Sequence, residues 1–309
     1  MKTRFRLLLL SAVLGVFASA ASCSISSIAA RVLTSGDSGS GGGALGVFMR
    51  ENDPEFVAEA LPTLIKTLEA LLASEPQNRD LRLTVGSAYI MYANAFVEGP
   101  AVRLPQEEYE RRLEAKRRAL NFYKRGTDYV GGALEAAFPG VTTDAARAAA
   151  AAPRMKKAWV PFLYWYAAGT TAAFALDPLD IPLSMRVPAA KALMQRAFEL
   201  EPGFMGSAIA DFFISFYAGV PDVLGGDKTK VEEFYRLALE LNGGQSPGTY
   251  VAYAMAVCLP AQDAQGFSDL MRKALAIDPD TLPDSRLMII LSQRNAAYYL
   301  ANRGDFFLE

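Results

Sequence analysis

Arg196-Ala-Phe-Glu-Leu-Glu-Pro202, Arg236-Leu-Ala-Leu-Glu-Leu-Asn-Gly243 and Arg272-Lys-Ala-Leu-Ala-Ile-Asp-Pro279 are three versions of one ending. Each is a short apolar-periodic run closed by a backbone device. Proline locks φ and pushes the preceding residue out of the α region, and Asn-Gly accepts the left-handed conformation that caps a helix. Either device stops a helix at a fixed place, so that the next helical pair can stack on it. A weaker copy, Leu71-Leu-Ala-Ser-Glu-Pro76, lies near the start of the body.

Aligning Ala197, Ala238 and Ala274 gives separations of 41 and 36 residues. These exceed the roughly 34 of a tetratricopeptide repeat, as inserted loops would make them. The same grammar extends outward. Asp53-Pro54 supplies an N-cap and a first-turn proline, and the helix it opens presents Phe56, Ala60, Leu64, Leu68 and Leu71 on one face, with a bend at Pro62. Asp80–Val97 carries Leu83, Gly86, Tyr89, Ile90 and Ala93 as a stripe. Pro105 opens a third helix, whose Glu107/Arg111, Glu108/Arg112 and Glu114/Arg118 spacings suit an exposed face. Further helices are expected near 132–138, 143–152, 154–176, 187–200, 205–218, 228–241, 247–258, 264–277 and 283–302. The sum is about twelve helices and no strands, an all-α body of stacked, degenerate tetratricopeptide-like hairpins.

The chain has no histidine. That removes the commonest general acid/base and the commonest transition-metal ligand, and with them His-dependent hydrolases and haem or zinc sites. No catalytic residue, metal or cofactor is assigned. Glu98 or Glu135 could serve a one-glutamate glycan lyase, but no Glu-Ser pair opens a lysozyme-like lobe. A formal charge of −2 with no basic block in the body argues against nucleic acid as a partner. Gly225-Gly-Asp-Lys-Thr-Lys230 lacks P-loop spacing, and Asp227 as a helix cap explains it. Cys258 reads as a buried structural thiol.

Lys2, Arg4 and Arg6 precede the apolar run 7–17 and the small residues Ala18-Ser-Ala-Ala-Ser-Cys23. This is the layout of an export signal, too short in its apolar part to span about 30 Å of hydrocarbon. Residues 1–22 are expected to be a signal peptide of lipoprotein type. Ala20-Ala-Ser-Cys23 is similar to a relaxed lipobox, which would leave Cys23 for lipid attachment and membrane anchoring; cleavage near Ala20 or Ala21 would leave a soluble protein instead. Residues 23–46, with Thr34-Ser-Gly-Asp-Ser-Gly-Ser-Gly-Gly-Gly43, read as a flexible spacer, and 47–309 as the helical domain.

Several segments in this order carry a resemblance: Val85-Gly-Ser-Ala-Tyr-Ile-Met-Tyr-Ala-Asn-Ala-Phe-Val-Glu98, Pro161-Phe-Leu-Tyr-Trp-Tyr-Ala-Ala168, the 225–230 loop leading into Phe234-Tyr-Arg-Leu-Ala-Leu-Glu240, and Ala296-Ala-Tyr-Tyr-Leu-Ala301. From about Val47 onward the chain resembles the T-component (TatT) family of TRAP transporter-associated periplasmic lipoproteins. The Ala at position 20 and Val231 depart from the family pattern. The resemblance implies a right-handed superhelix with an internal passage and a homotrimer among its assemblies. It also implies a substrate-binding P-component of a TRAP system as partner, and a hydrophobic or organic-acid ligand passed between the two. The competing expectation is a generic scaffold lipoprotein of envelope assembly, without ligand transport.

Two aromatic clusters are candidates for the passage wall: Trp159, Tyr164 and Trp165 on one helix, and Phe212, Phe213, Phe216 and Tyr217 on another. Tyr164 to Tyr166 span about 200° of a helix, too wide for a single buried stripe. Tyr89, Tyr92 and Asn94 on an earlier helix complete the set. For each of these residues, ordinary core packing is the competing expectation.

Overall fold

The computed structural model describes residues 44–308. Residues 1–22, expected to be an export signal, Cys23 and almost all of the expected spacer lie outside the described residues. The spacer's last three positions fall in the first helix, α1 (Ala44–Met49).

Among the described residues the chain is all-α, with no strand. The helices are α2 (Pro54–Ser74), α3 (Arg79–Tyr92), the four-residue α4 (Gly99–Val102), α5 (Tyr109–Ala137), α6 (Ala145–Ala151), α7 (Val160–Leu176), α8 (Ile181–Leu200), α9 (Ala208–Gly219), α10 (Val231–Asn242), α11 (Pro247–Tyr253), α12 (Ala264–Leu275) and α13 (Arg286–Ala301). Two π-helical turns, Ala93–Glu98 after α3 and Ala254–Cys258 after α11, widen the rods they extend. The capping residues read from sequence are in place. Asp53 accepts from the Phe56 amide, Asp227 from the Thr229 amide, and Gly243 closes α10 at φ 60°.

Five expectations need correction, two of them helix starts: α7 begins at Val160 and not near 154, and α8 at Ile181 and not near 187, with Pro188 inside it. The α2 face turned inward is Val57, Leu61, Ile65, Leu68 and Leu72, leaving Phe56 exposed. Two overlapping apolar faces run along this helix, and packing on α3 selected the one beside the expected stripe. The helix after Pro105 runs unbroken to Ala137, because Gly126, Gly131 and Gly132 serve close packing and not termination. Glu108 pairs with Arg111 and not with Arg112, whose guanidinium donates to the Leu104 and Pro105 carbonyls.

Helices near in sequence pack in series: α2 on α3, α3 on α5, α5 on α7, α7 on α8, α9 on α10, and α11 on α12 and α13. At the centre α3 is enclosed almost all round. A Cβ on Gly86 would stand 2.6 Å from the Gly126 carbonyl oxygen, and one on Gly126 would stand 2.7 Å from that of Gly86. Backbones this close require glycine on both sides. Gly169 of α7 completes the seam against Ile90 and Thr127.

The two ends of the described residues meet. Arg294 of α13 forks onto Glu55 of α2, Arg50 pairs with Asp284 at 2.6 Å, and the Arg286 guanidinium donates to the Arg50 carbonyl. These contacts link positions 234 to 239 residues apart.

Candidate functional site

The closure brings α1 and α13 over the face of α3 and α7 and encloses a cavity of about 260 Å³. From α3 and its π turn come Leu83, Thr84, Ser87, Ile90, Met91 and Asn94. From α7 come Tyr164, Trp165, Ala168 and Ala172, and α5 adds Tyr123. Leu45 and Met49 of α1, Met288 of α13 and Met205 of the α8–α9 loop close the remaining sides. Met205 holds φ at 48° beside Gly206 at φ 73°. An unbranched side chain in the left-handed region is uncommon and marks a backbone fixed by its surroundings.

The wall is mainly apolar, with four flexible methionines and one indole. Methionine adapts to irregular shapes, and an indole offers flat apolar area with a polar edge. The polar groups gather along α3. Its π turn sets Asn94 into the cavity and Glu98 behind it, where the Tyr123 hydroxyl donates to the Glu98 carboxylate at 2.6 Å. Burial pushes the Glu98 carboxyl up, against the opposing pull of that hydrogen bond and of the Lys116 charge. Burial likewise pushes the Tyr123 phenol up, helped by the Glu98 charge. The Tyr164 ring touches the cavity from deep inside the molecule, and its phenol is raised by burial and by the nearby Asp211 charge.

Of the ten aromatic and amide candidates, Asn94, Tyr164 and Trp165 line this cavity. The others stand elsewhere. Tyr89 stacks on Tyr129 at 6.2 Å and takes a hydrogen bond from Arg125. Tyr92 is buried edge-on against Phe122. Trp159 is wedged between Phe138 and Phe162 beneath the Arg79 guanidinium. Phe213, Phe216 and Tyr217 are fully packed, with Phe212 beside them, against Phe198 of α8 and Phe234 of α10. Glu135 accepts from the Gly140 and Thr142 amides and the Thr142 hydroxyl, latching the turn after α5. Asp80, Thr84, Ser87, Tyr123 and the methionines were missed from sequence, since helical periodicity assigns each of them equally well to ordinary packing.

A family model for the TRAP transporter T-component matches residues 50–307, which is most of the chain. The chain belongs to the TRAP transporter T-component family. A relative from Treponema pallidum (strain Nichols), described only as an uncharacterized protein, is 39% identical over 268 residues, 85% of this chain and 83% of the relative. T-components are accessory parts of a transport system and not enzymes. Among the described residues of this T-component, no cluster of metal-ligating side chains occurs and no helix is long and apolar enough to cross a membrane.

Proposed function

We propose that this T-component works on the periplasmic side of the membrane, held there by lipid on Cys23 after removal of residues 1–22. Residues 23–46 tether the helical domain 47–309, a right-handed superhelix of tetratricopeptide-like hairpins able to assemble as a homotrimer. It binds the substrate-binding P-component of its TRAP system and holds the transported hydrophobic or organic-acid ligand on its way between the two. The observation that carries this reading is the cavity enclosed by α1, α3, α5, α7 and α13 in a member of this family. Its apolar wall with a few polar groups on one side is the usual composition of a small-molecule site, at the lower end of the common size range.

Co-expression with the P-component of the neighbouring transport genes tests the partner. Co-purification is expected from detergent extracts of membranes, and Cys23→Ala should move the complex to the soluble fraction. A P-component that never co-purifies, with the T-component intact, would remove the assignment.

A further inference from the structure

The cavity's hydrogen-bonding groups and charges select among ligand classes. Among the described residues, no lysine or arginine lines it. A carboxylate head would lose part of its hydration there without gaining a counter-charge, which is unfavourable in a mainly apolar cavity. Both carboxylates in the neighbourhood make matters worse for an anion. Asp80 lies in the wall, and Glu98 stands directly behind Tyr123.

The neutral groups point the same way. The Thr84 hydroxyl donates to the Asp80 carbonyl at 2.9 Å, and the Ser87 hydroxyl donates to the Thr84 carbonyl at 3.2 Å. The Tyr123 hydroxyl donates to Glu98. A hydroxyl carries one proton, so these three oxygens face the cavity only as acceptors. Their partner must bring an O–H or N–H of its own. The Asn94 carboxamide, exposed on the π turn beside Tyr123, can take or give one further hydrogen bond without adding charge. The methionines, Trp165 and the small Ala168 and Ala172 leave room for an apolar chain or ring opposite.

We infer that the cavity takes an amphiphile with a donor head, an apolar body carrying a hydroxyl, amide or ammonium that meets Thr84, Ser87 and Asn94, and that it rejects carboxylates. This rests on the reading of the cavity as a ligand site and narrows it.

Trp165 lies in the wall and Trp159, the only other tryptophan, does not. Trp159→Phe therefore leaves a single reporter at the site. Its fluorescence is titrated with 1-octanol, octanoate and octylammonium at pH 7.5. Octanol and octylammonium are each expected to bind at least about tenfold more tightly than octanoate. Asn94→Arg should reverse the order of octanol and octanoate. Should Trp159→Phe fail to fold, calorimetric titration of the unaltered protein yields the same ranking. Octanoate binding as tightly as octanol or octylammonium overturns the inference and leaves the ligand site standing. No response to any of the three removes the ligand-site reading itself, and the inference with it.

Discussion

Helices α7 and α9 carry the same sequence signal, several large aromatics crowded into little more than one turn, and the molecule uses them in opposite ways. On α7, Tyr164 and Trp165 look into a cavity, because the helices opposite contribute slender or flexible side chains and α1 and α13 arch over the gap. On α9, Phe213 is closed over by the touching pair Phe198 and Phe234, Tyr217 packs on Phe234, and Phe216 stacks on Phe212, with the Lys191 and Lys230 ammoniums laid across the Tyr217 ring at 5.3 Å. Crowding shows that one helix cannot bury all its aromatics on a single neighbour. It does not show whether a second neighbour or a space receives the surplus.

The distinction can be broken at its strongest point by truncating one residue of each group. Phe213 is 1% exposed and ringed by aromatics. Phe213→Ala should cost about 3–5 kcal/mol in urea unfolding, whereas Trp165→Ala, already facing space, should cost only about 1–2 kcal/mol. Equal losses would erase the difference between the two helices.

A second measurement sharpens the boundary between them. Asp211 of α9 accepts from the Ser207 and Thr249 hydroxyls at 2.8 and 2.6 Å, and Asn242 donates to both of those hydroxyls. The molecule encloses the carboxyl nearly completely although part of the residue still meets solvent space, and burial pushes it from 3.8 up to about 6. A raised folded-state value favours the protonated form in the native protein. The stabilisation is therefore complete below about pH 4 and is lost as pH rises through about 6, by about 2–3 kcal/mol. Asp211→Asn should flatten stability across that window, while native protein declines; parallel pH profiles would show that Asp211 is not the group responsible.

The smallest effect is expected at the closure. The Arg294–Glu55 fork is solvent-exposed, so Arg294→Ala should change unfolding free energy by less than about 1 kcal/mol, and by less still at high salt. A large, salt-independent loss would mean that α2 and α13 are held by more than surface charge and would strengthen the case for α13 as a fixed wall of the cavity.

Much of the scaffold was legible in particular residues. The caps at Asp53, Asp227 and Gly243 act through their own turn, so local chemistry sufficed to place them. The α3 stripe was legible because its glycine and aromatics repeat at helical spacing. The α2 face was not, since Phe56/Ala60/Leu64 and Val57/Leu61/Ile65 are both apolar series and only the contact with α3 separates them. In the cavity wall, Asn94, Tyr164 and Trp165 drew notice as unusual residues on apolar helices. Thr84 and Ser87 did not, because a hydroxyl bonded back to its own helix is an ordinary helical feature until something lies opposite it.

By itself, the sequence determined the helical class, the capped ends at Asp53, Asp227 and Gly243, the absence of histidine chemistry and the family, all of which depend on residue type and short-range spacing. The tertiary structure alone decided which aromatics face space, that α2 and α13 meet across 239 residues, and that the cavity wall carries acceptors and, among the described residues, no cation. Those properties belong to surfaces brought together from distant parts of the chain, and no local pattern encodes what will stand opposite a given side chain.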